Sequence, residues 1–239
     1  MKTLNFIDLF SGAGGLSEGF INAGFKPIAH VEVDKKACET LETRLIYHDL
    51  KKKNKLNHYY EYISGKVKGE KFLKNFGTSE ILNSVINMSI GGNNNKTIFH
   101  QIDKLSNDKI DLIVGGPPCQ AYSLVGRSRD KNKMRNDPRN YLYKEYAKFL
   151  KKYKPSLFVF ENVIGLITAE NGSYFKNMQS YFKRIGYEID YTIQKSENFG
   201  VLQKRRRIIL IGWKKGSKSE EVHCSYNETK YLSYKRKTA

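Results

Sequence analysis

Cysteine is scarce in this chain: three residues in 239, widely spaced and odd in number. That argues against a disulfide framework and for a reducing compartment, the cytoplasm. Long apolar runs are missing as well, and the first residues carry no signal-peptide pattern, so neither a membrane span nor secretion is expected. Acidic residues are the third shortage. Twenty-four Asp and Glu face 42 Lys and Arg, a formal charge of +18, and 16 tyrosines accompany them. This imbalance suits an acidic polymer as partner, unless the lysines only reflect composition and form a solvated face. Clustering decides between the two. Eleven Lys and Arg lie between Arg127 and Lys154 against Asp130, Asp137 and Glu145, which favours nucleic acid.

Two ligand signatures are incomplete. The turn "SGAGG" lacks the last glycine of G-x-G-x-x-G, because Ser17 stands there, so a dinucleotide is poorly supported. Glu32 nevertheless ends the next strand, where a carboxylate meets ribose hydroxyls. An adenosine-containing cofactor without a pyrophosphate, such as S-adenosylmethionine, satisfies both features; a glycine turn with no ligand is the plainer alternative. The zinc pattern H-x-E with P-C-x-x-C also fails. "HVE" and Pro118–Cys119 are present, but Tyr122 occupies the second cysteine position, and no metal is expected.

Strand and helix patterns alternate along the chain. "LNFIDLF" reads as a strand, "LSEGFINAGF" as a helix, "KPIAHVEVD" as a second strand and "KKACETLETRL" as a second helix. "KTIFHQI" and "KIDLIVGG" read as the third and fourth strands, a helix spans about Tyr141 to Tyr153, and "SLFVFENV" follows as the fifth. A helical stripe from Tyr174 to Ile185 then precedes "YEIDYTIQ" and "RRIILIGW". The expected class is α/β, with a mostly parallel, twisted, Rossmann-like sheet and helices on both faces. Residues 46–98 exceed the usual connection length and carry nine lysines against four acids. They are expected to form a basic helical insertion in a catalytic domain spanning 1–213, followed by a polar tail, 214–239.

The chemistry centres on "VGGPPCQAYS", Val114 to Ser123. Gly-Gly-Pro-Pro ends the strand, leaving Cys119 on a turn at a strand end, where α/β sheets place ligands. A nucleophilic thiol needs a lowered pKa, which nearby cations supply. Arg205 and Arg207 share one face of a strand by period two and are the candidates. Glu161 and Asn162 close the strand "FVFENV". A carboxyl among such apolar neighbours is expected to be partly desolvated and prone to carry a proton.

The ordered set "DLFSGAGGLSEGF", "VEVD", "GGPPCQAYS", "ENV" and "FGVLQKRRRIILIG" resembles the DNA (cytosine-5)-methyltransferase family from about Leu4 to Trp213. The resemblance implies methyl transfer from S-adenosylmethionine to C5 of cytosine in double-stranded DNA, in a restriction-modification setting. Cys119 is then the thiolate that adds to C6 of a flipped-out base. Glu161 holds the N3 and amino edge, Arg207 holds O2 with Arg205 close by, and Asn162 braces the loop carrying Cys119. The cofactor positions implied are Phe10, Gly12, Ala13, Gly15, Glu32, Val33, Pro118 and Leu142, with Asp8 organising the turn. Gln101 stands in for the aspartate that usually accepts from the adenine amino group. After Trp213 the family continues with a target-recognition domain and a returning C-terminal helix, neither of which is legible here. A second subunit carrying those parts is therefore expected. An inactive DNA-binding subunit, a truncated enzyme and a methyltransferase acting on transfer RNA are the alternatives.

Overall fold

Residues 3–118 and 138–216 are described by the structure, a computed structural model. The chain divides into two compact units, Met1–Gly115 and Gly116–Ala239.

In the first unit, β1 (Asn5–Leu9), β2 (Lys26–Glu32), β3 (Val85–Asn87) and β4 (Leu112–Gly115) are parallel, in the order β3-β2-β1-β4. Parallel strands need crossovers, which α1 (Gly15–Asn22), α2 (Lys35–Lys52) and α6 (Asn94–Leu105) help to supply. Burial explains why the strands read as near-continuous apolar runs. Phe6 and Asp8 point one way and Ile7 and Leu9 the other, yet none is more than 1% exposed, so both faces are covered. Phe20 of α1 packs on Phe6 at a ring separation of 5.8 Å. His30, the register partner of Asp8, lies beside Phe6 and is fully buried. Burial pushes its pKa down to about 4, so the ring is neutral at ordinary pH.

Three further helices lie between α2 and β3: α3 (Leu56–Ile63), α4 (Gly69–Phe76) and α5 (Ser79–Ser84). Phe72 anchors them against Ile46 and Leu50 of α2, with Tyr59, Tyr62 and Phe76 packed around it. Two strand expectations fail here. "KTIFHQI" is not the third strand but the middle of α6, because Ile98 and Ile102, four residues apart, are both buried on one helix face. The real third strand is Val85–Asn87, inside the segment read as a helical insertion. The segment expected as a helical insertion, 46–98, therefore holds a strand as well as helices, and α2 itself runs seven residues past its expected end at Leu45.

The second unit holds β5 (Leu157–Asn162), β6 (Tyr187–Lys195) and β7 (Arg206–Lys214), antiparallel in the order β5-β7-β6. Along β5 burial alternates: Phe158, Phe160 and Asn162 face inward, while Leu157, Val159 and Glu161 are half-buried on the other side. Helices α7 (Leu142–Tyr153) and α9 (Ser173–Arg184) bring Tyr146 and Phe182 onto the inner face; α8 (Gly165–Thr168) lies between β5 and α9. Tyr146 and Phe182 pack on Phe158 and Phe160 at ring separations of 4.9 to 6.0 Å. This aromatic core holds β5 rigidly. It thereby fixes the strand end that carries Glu161 and Asn162. No described helix is long and apolar enough to cross a membrane.

Candidate active site

In the first unit the expected cofactor residues gather where β1 and β2 end. Phe10 leaves β1 with φ of 56°, a conformation that costs a non-glycine residue energy and recurs at functional sites. Gly12 follows with φ of 53°, and Gly14 with φ of 83° opens α1. A Cβ on Gly14 would stand 2.7 Å from Leu41 Cδ2, so only glycine lets the turn sit on α2. Glu32 clamps the turn from the neighbouring strand. Its Oε2 accepts the Gly12 N–H at 2.8 Å, and Oε1 accepts those of Val33 and Asp34, both at 2.9 Å.

Below the turn, the buried Asp8 accepts a hydrogen bond from the Ser17 hydroxyl, tying β1 to α1. Burial raises its carboxyl to a pKa of about 7, outweighing the lowering effect of Ser17, and the charge of Glu32 adds to the rise. Among the described residues nothing stands within 4 Å of where a Cβ would lie on Gly12 or Gly15; Ala13 is exposed, and Val33 presents an apolar side chain that is 63% exposed. Backbone with room for close approach, an exposed apolar face and a carboxylate with lone pairs to spare fit an adenosine-type cofactor.

Gln101 does not join this cluster as expected. It lies exposed on α6 rather than at a strand end. The end of β3 is occupied by Asn87, whose amide donates to the carbonyls of Glu32 and Val33 at 3.1 and 2.9 Å. Sequence reading missed Asn87 because a three-residue strand leaves no periodicity to detect.

In the second unit, β5 and β7 bring three expected residues together. Arg207 Nε stands 2.8 Å from Glu161 Oε1, and an Arg205 guanidinium nitrogen 3.8 Å from the same oxygen. Instead of a carboxyl isolated among apolar neighbours, Glu161 is held between two arginines. Both contacts fall on Oε1, and among the described residues Oε2 accepts no hydrogen bond. Oε2 faces Gly116 so closely that a Cβ there would lie 2.8 Å away. Gly116 was not among the expected site residues; its signal was the second glycine before two prolines.

Asn162, buried beside Glu161, donates to the Pro117 carbonyl at 3.1 Å and accepts the Val163 N–H at 2.9 Å. It holds the segment two residues ahead of Cys119. Pro118 is exposed and Leu142 is half-buried at the start of α7. Cys119 and the basic stretch to Asp137 lie outside the described residues, as does Cys224. Cys38 is buried on α2, where burial first and then the charge of Glu32 push its thiol up to about 11, an inert group. Among the described residues no group of His, Cys, Asp and Glu is placed to hold a metal.

A family model described as C-5 cytosine-specific DNA methylase matches residues 4–67 and 76–238, leaving 68–75 outside the match. The type II methyltransferase M.Bpa9945I of Bacillus paralicheniformis is 40% identical over 237 residues, covering 87% of this chain and 53% of that protein. M1.HphI of Haemophilus parahaemolyticus, also a type II methyltransferase, is 32% identical over 228 residues, covering 94% of this chain and 50% of that protein. The chain thus spans about half the length of these curated relatives. Among solved structures, an E. coli prophage protein assigned as a DNA modification methyltransferase superposes with a TM-score of 0.58 and 27% identity, covering 89% of this chain and 47% of its own. The Entamoeba histolytica methyltransferase EhMeth shares the fold, with a TM-score of 0.53 at 19% identity over 89% of this chain and 53% of its own.

Proposed function

The chain belongs to the C-5 cytosine-specific DNA methylase family, and from that premise we propose that it methylates C5 of cytosine in duplex DNA, using Cys119 as nucleophile and S-adenosylmethionine as methyl donor. The observation that carries this reading is the Glu161 carboxyl group. Two arginines stand at Oε1, while Oε2, which accepts no hydrogen bond among the described residues, faces Gly116, three residues before the cysteine.

Cytosine C5 is a weak nucleophile inside an aromatic ring. Addition of the Cys119 thiolate to C6 moves an electron pair towards N3, where Glu161 delivers a proton, and leaves C5 electron-rich. When bound, S-adenosylmethionine supplies an electrophilic methyl group for C5. Loss of the C5 proton to solvent then restores the 5,6 double bond, the sulfur leaves with the electron pair of its bond to C6, and the N3 proton returns to Glu161. Arg207 and Arg205 orient the Glu161 carboxyl group and meet the O2 edge. Asn162 sets the backbone ahead of Cys119. A stacked base cannot present C6 to a thiol, so the cytosine is flipped out.

Phe10, Gly12, Ala13, Gly15, Glu32 and Val33 are the chain's own binding set for the cofactor, joined by Pro118 and Leu142. The third-strand position falls to the end of β3 at Asn87 rather than to Gln101. The setting is a type II modification system in the bacterial cytoplasm. Target recognition is supplied by a complementing segment, because relatives carry about as much chain again.

The test is transfer of labelled methyl groups to duplex DNA and to transfer RNA. The purified chain is assayed alone and co-expressed with the C-terminal half of a type II relative, with products mapped by bisulfite sequencing. The reading expects 5-methylcytosine in DNA, mostly or only with the added half. Label in transfer RNA alone, or on adenine, would refute it, and full turnover at one sequence by the chain alone would remove the need for a complement.

A further inference from the structure

The helices between α2 and β3 form a surface that the proposed chemistry does not use. Phe72, Leu73 and Phe76 turn α4 inward, and at 100° per residue Lys71 and Lys74 point almost directly away from that face, where both are exposed. Lys66 and Lys68, in the connection leading into α4, are exposed as well. None of these four lysines has an acidic partner among the described residues. The acids nearby are few: Glu61 is taken by His58, and Glu70 sits on the flank of α4.

Lys68 occupies the N-cap of α4 without a side-chain cap, and Lys71 stands in the first turn together with Glu70. A cleft between α2 and the α3–α4 connection is lined by Thr40, Thr43, Tyr62, Lys68, Gly69 and Glu70; Lys36 and Glu39, also on its wall, neutralise each other at 2.8 Å, so the lysines turned to solvent, not this cleft, carry the positive surface. Residues 68–75, which carry Lys68, Lys71 and Lys74, fall outside the family match, whereas α3 and Lys66 lie within it.

We propose that the α3–α4 appendage is a grip for the phosphodiester backbone of duplex DNA, acting away from the reacting base. It rests on DNA being the substrate, as proposed above. Lys66, Lys68, Lys71 and Lys74 neutralise phosphates and release their counterions, and add affinity without sequence preference.

The test is equilibrium binding of the full chain to a duplex over a range of salt concentrations. The quadruple variant Lys66→Gln, Lys68→Gln, Lys71→Gln, Lys74→Gln is compared with a control of equal charge loss, Lys26→Gln, Lys104→Gln, Lys176→Gln, Lys183→Gln. Each phosphate contact contributes about 0.9 to the slope of log affinity against log salt, so the appendage variant should flatten it by about 3.6 and the control by less than about 1. Replacing the same four lysines by arginine should restore the slope, separating lost charge from lost folding. An unchanged slope in the appendage variant, or equal flattening in the control, overturns the grip. A steep wild-type slope with no cytosine methylation refutes the proposed reaction but leaves the grip standing.

Discussion

The side-chain amide of Asn162 donates to the Pro117 carbonyl across 3.1 Å, joining the buried end of β5 to the backbone two residues before Cys119. Replacing Asn162 by Asp removes the donor and leaves a carboxylate facing that carbonyl. The expected result is a loss of about 1–3 kcal/mol of stability and a larger fall in methyl transfer, on the order of 100-fold. Thermal unfolding and single-turnover rates with the complemented chain measure the two separately. A rate unchanged in a folded Asn162→Asp protein would contradict a positioning role.

Gly116 offers a second check on the same region. An alanine there needs no unusual φ, but its Cβ would lie 2.8 Å from Glu161 Oε2. The carboxylate must then shift off the line set by Arg205 and Arg207. Gly116→Ala should leave stability nearly unchanged and lower the rate of adduct formation by about 10-fold or more. Equal rates in the two proteins would show that Oε2 does not meet the base.

Much of this site was legible because glycine and proline punctuate it. The runs "LNFIDLF" and "KIDLIVGG" stop at Gly and Pro, so β1 and β4 and the turns after them were readable. The reach of Arg205 and Arg207 to one carboxylate follows from period two. The misreading lay where two periods coincide. Ile98 and Ile102 suit a strand by their β-branching and a helix by their spacing, and packing on the sheet chose the helix. Val85–Asn87 continues the helical spacing of Ile81 and Leu82, and only pairing with β2 makes it a strand. Gln101 consequently sits on a helix rather than at a strand end.

Two buried groups make the stability of the first unit depend on pH in opposite directions. Asp8 has a folded pKa of about 7 against an ordinary value of 3.8. Its contribution is fully present below about pH 4 and is lost as pH rises through 7, by on the order of 4 kcal/mol. His30 is depressed to about 4 from 6.5, so its contribution is present above 6.5 and lost as pH falls through 4. Asp8→Asn should therefore gain stability over wild type at pH 8 and not at pH 4, while His30→Leu gains at pH 4 and not at pH 8. Denaturant unfolding across this range reads both, and parallel profiles for the variants and the wild type would contradict the assignment.

Glu32 accepts three backbone N–H groups, including that of Gly12. An amide can present only one oxygen to those donors. Glu32→Gln should weaken binding of S-adenosylhomocysteine by about 10- to 100-fold, corresponding to about 1.4–2.8 kcal/mol. Calorimetric titration of the demethylated cofactor measures this without any need for turnover. Unaltered affinity would place the cofactor elsewhere.

The most direct measurement uses duplex DNA carrying 5-fluorocytosine, whose C5 substituent cannot leave as a proton, so that a cysteine bonded to C6 stays bonded. The chain is incubated with this DNA, S-adenosylmethionine and the complementing half, then digested and mapped by mass spectrometry. The account predicts a peptide containing Cys119 joined to a methylated fluorocytosine, and no such species from Cys119→Ser. Methylation of ordinary DNA by the same mixture without any adduct at Cys119 would contradict it.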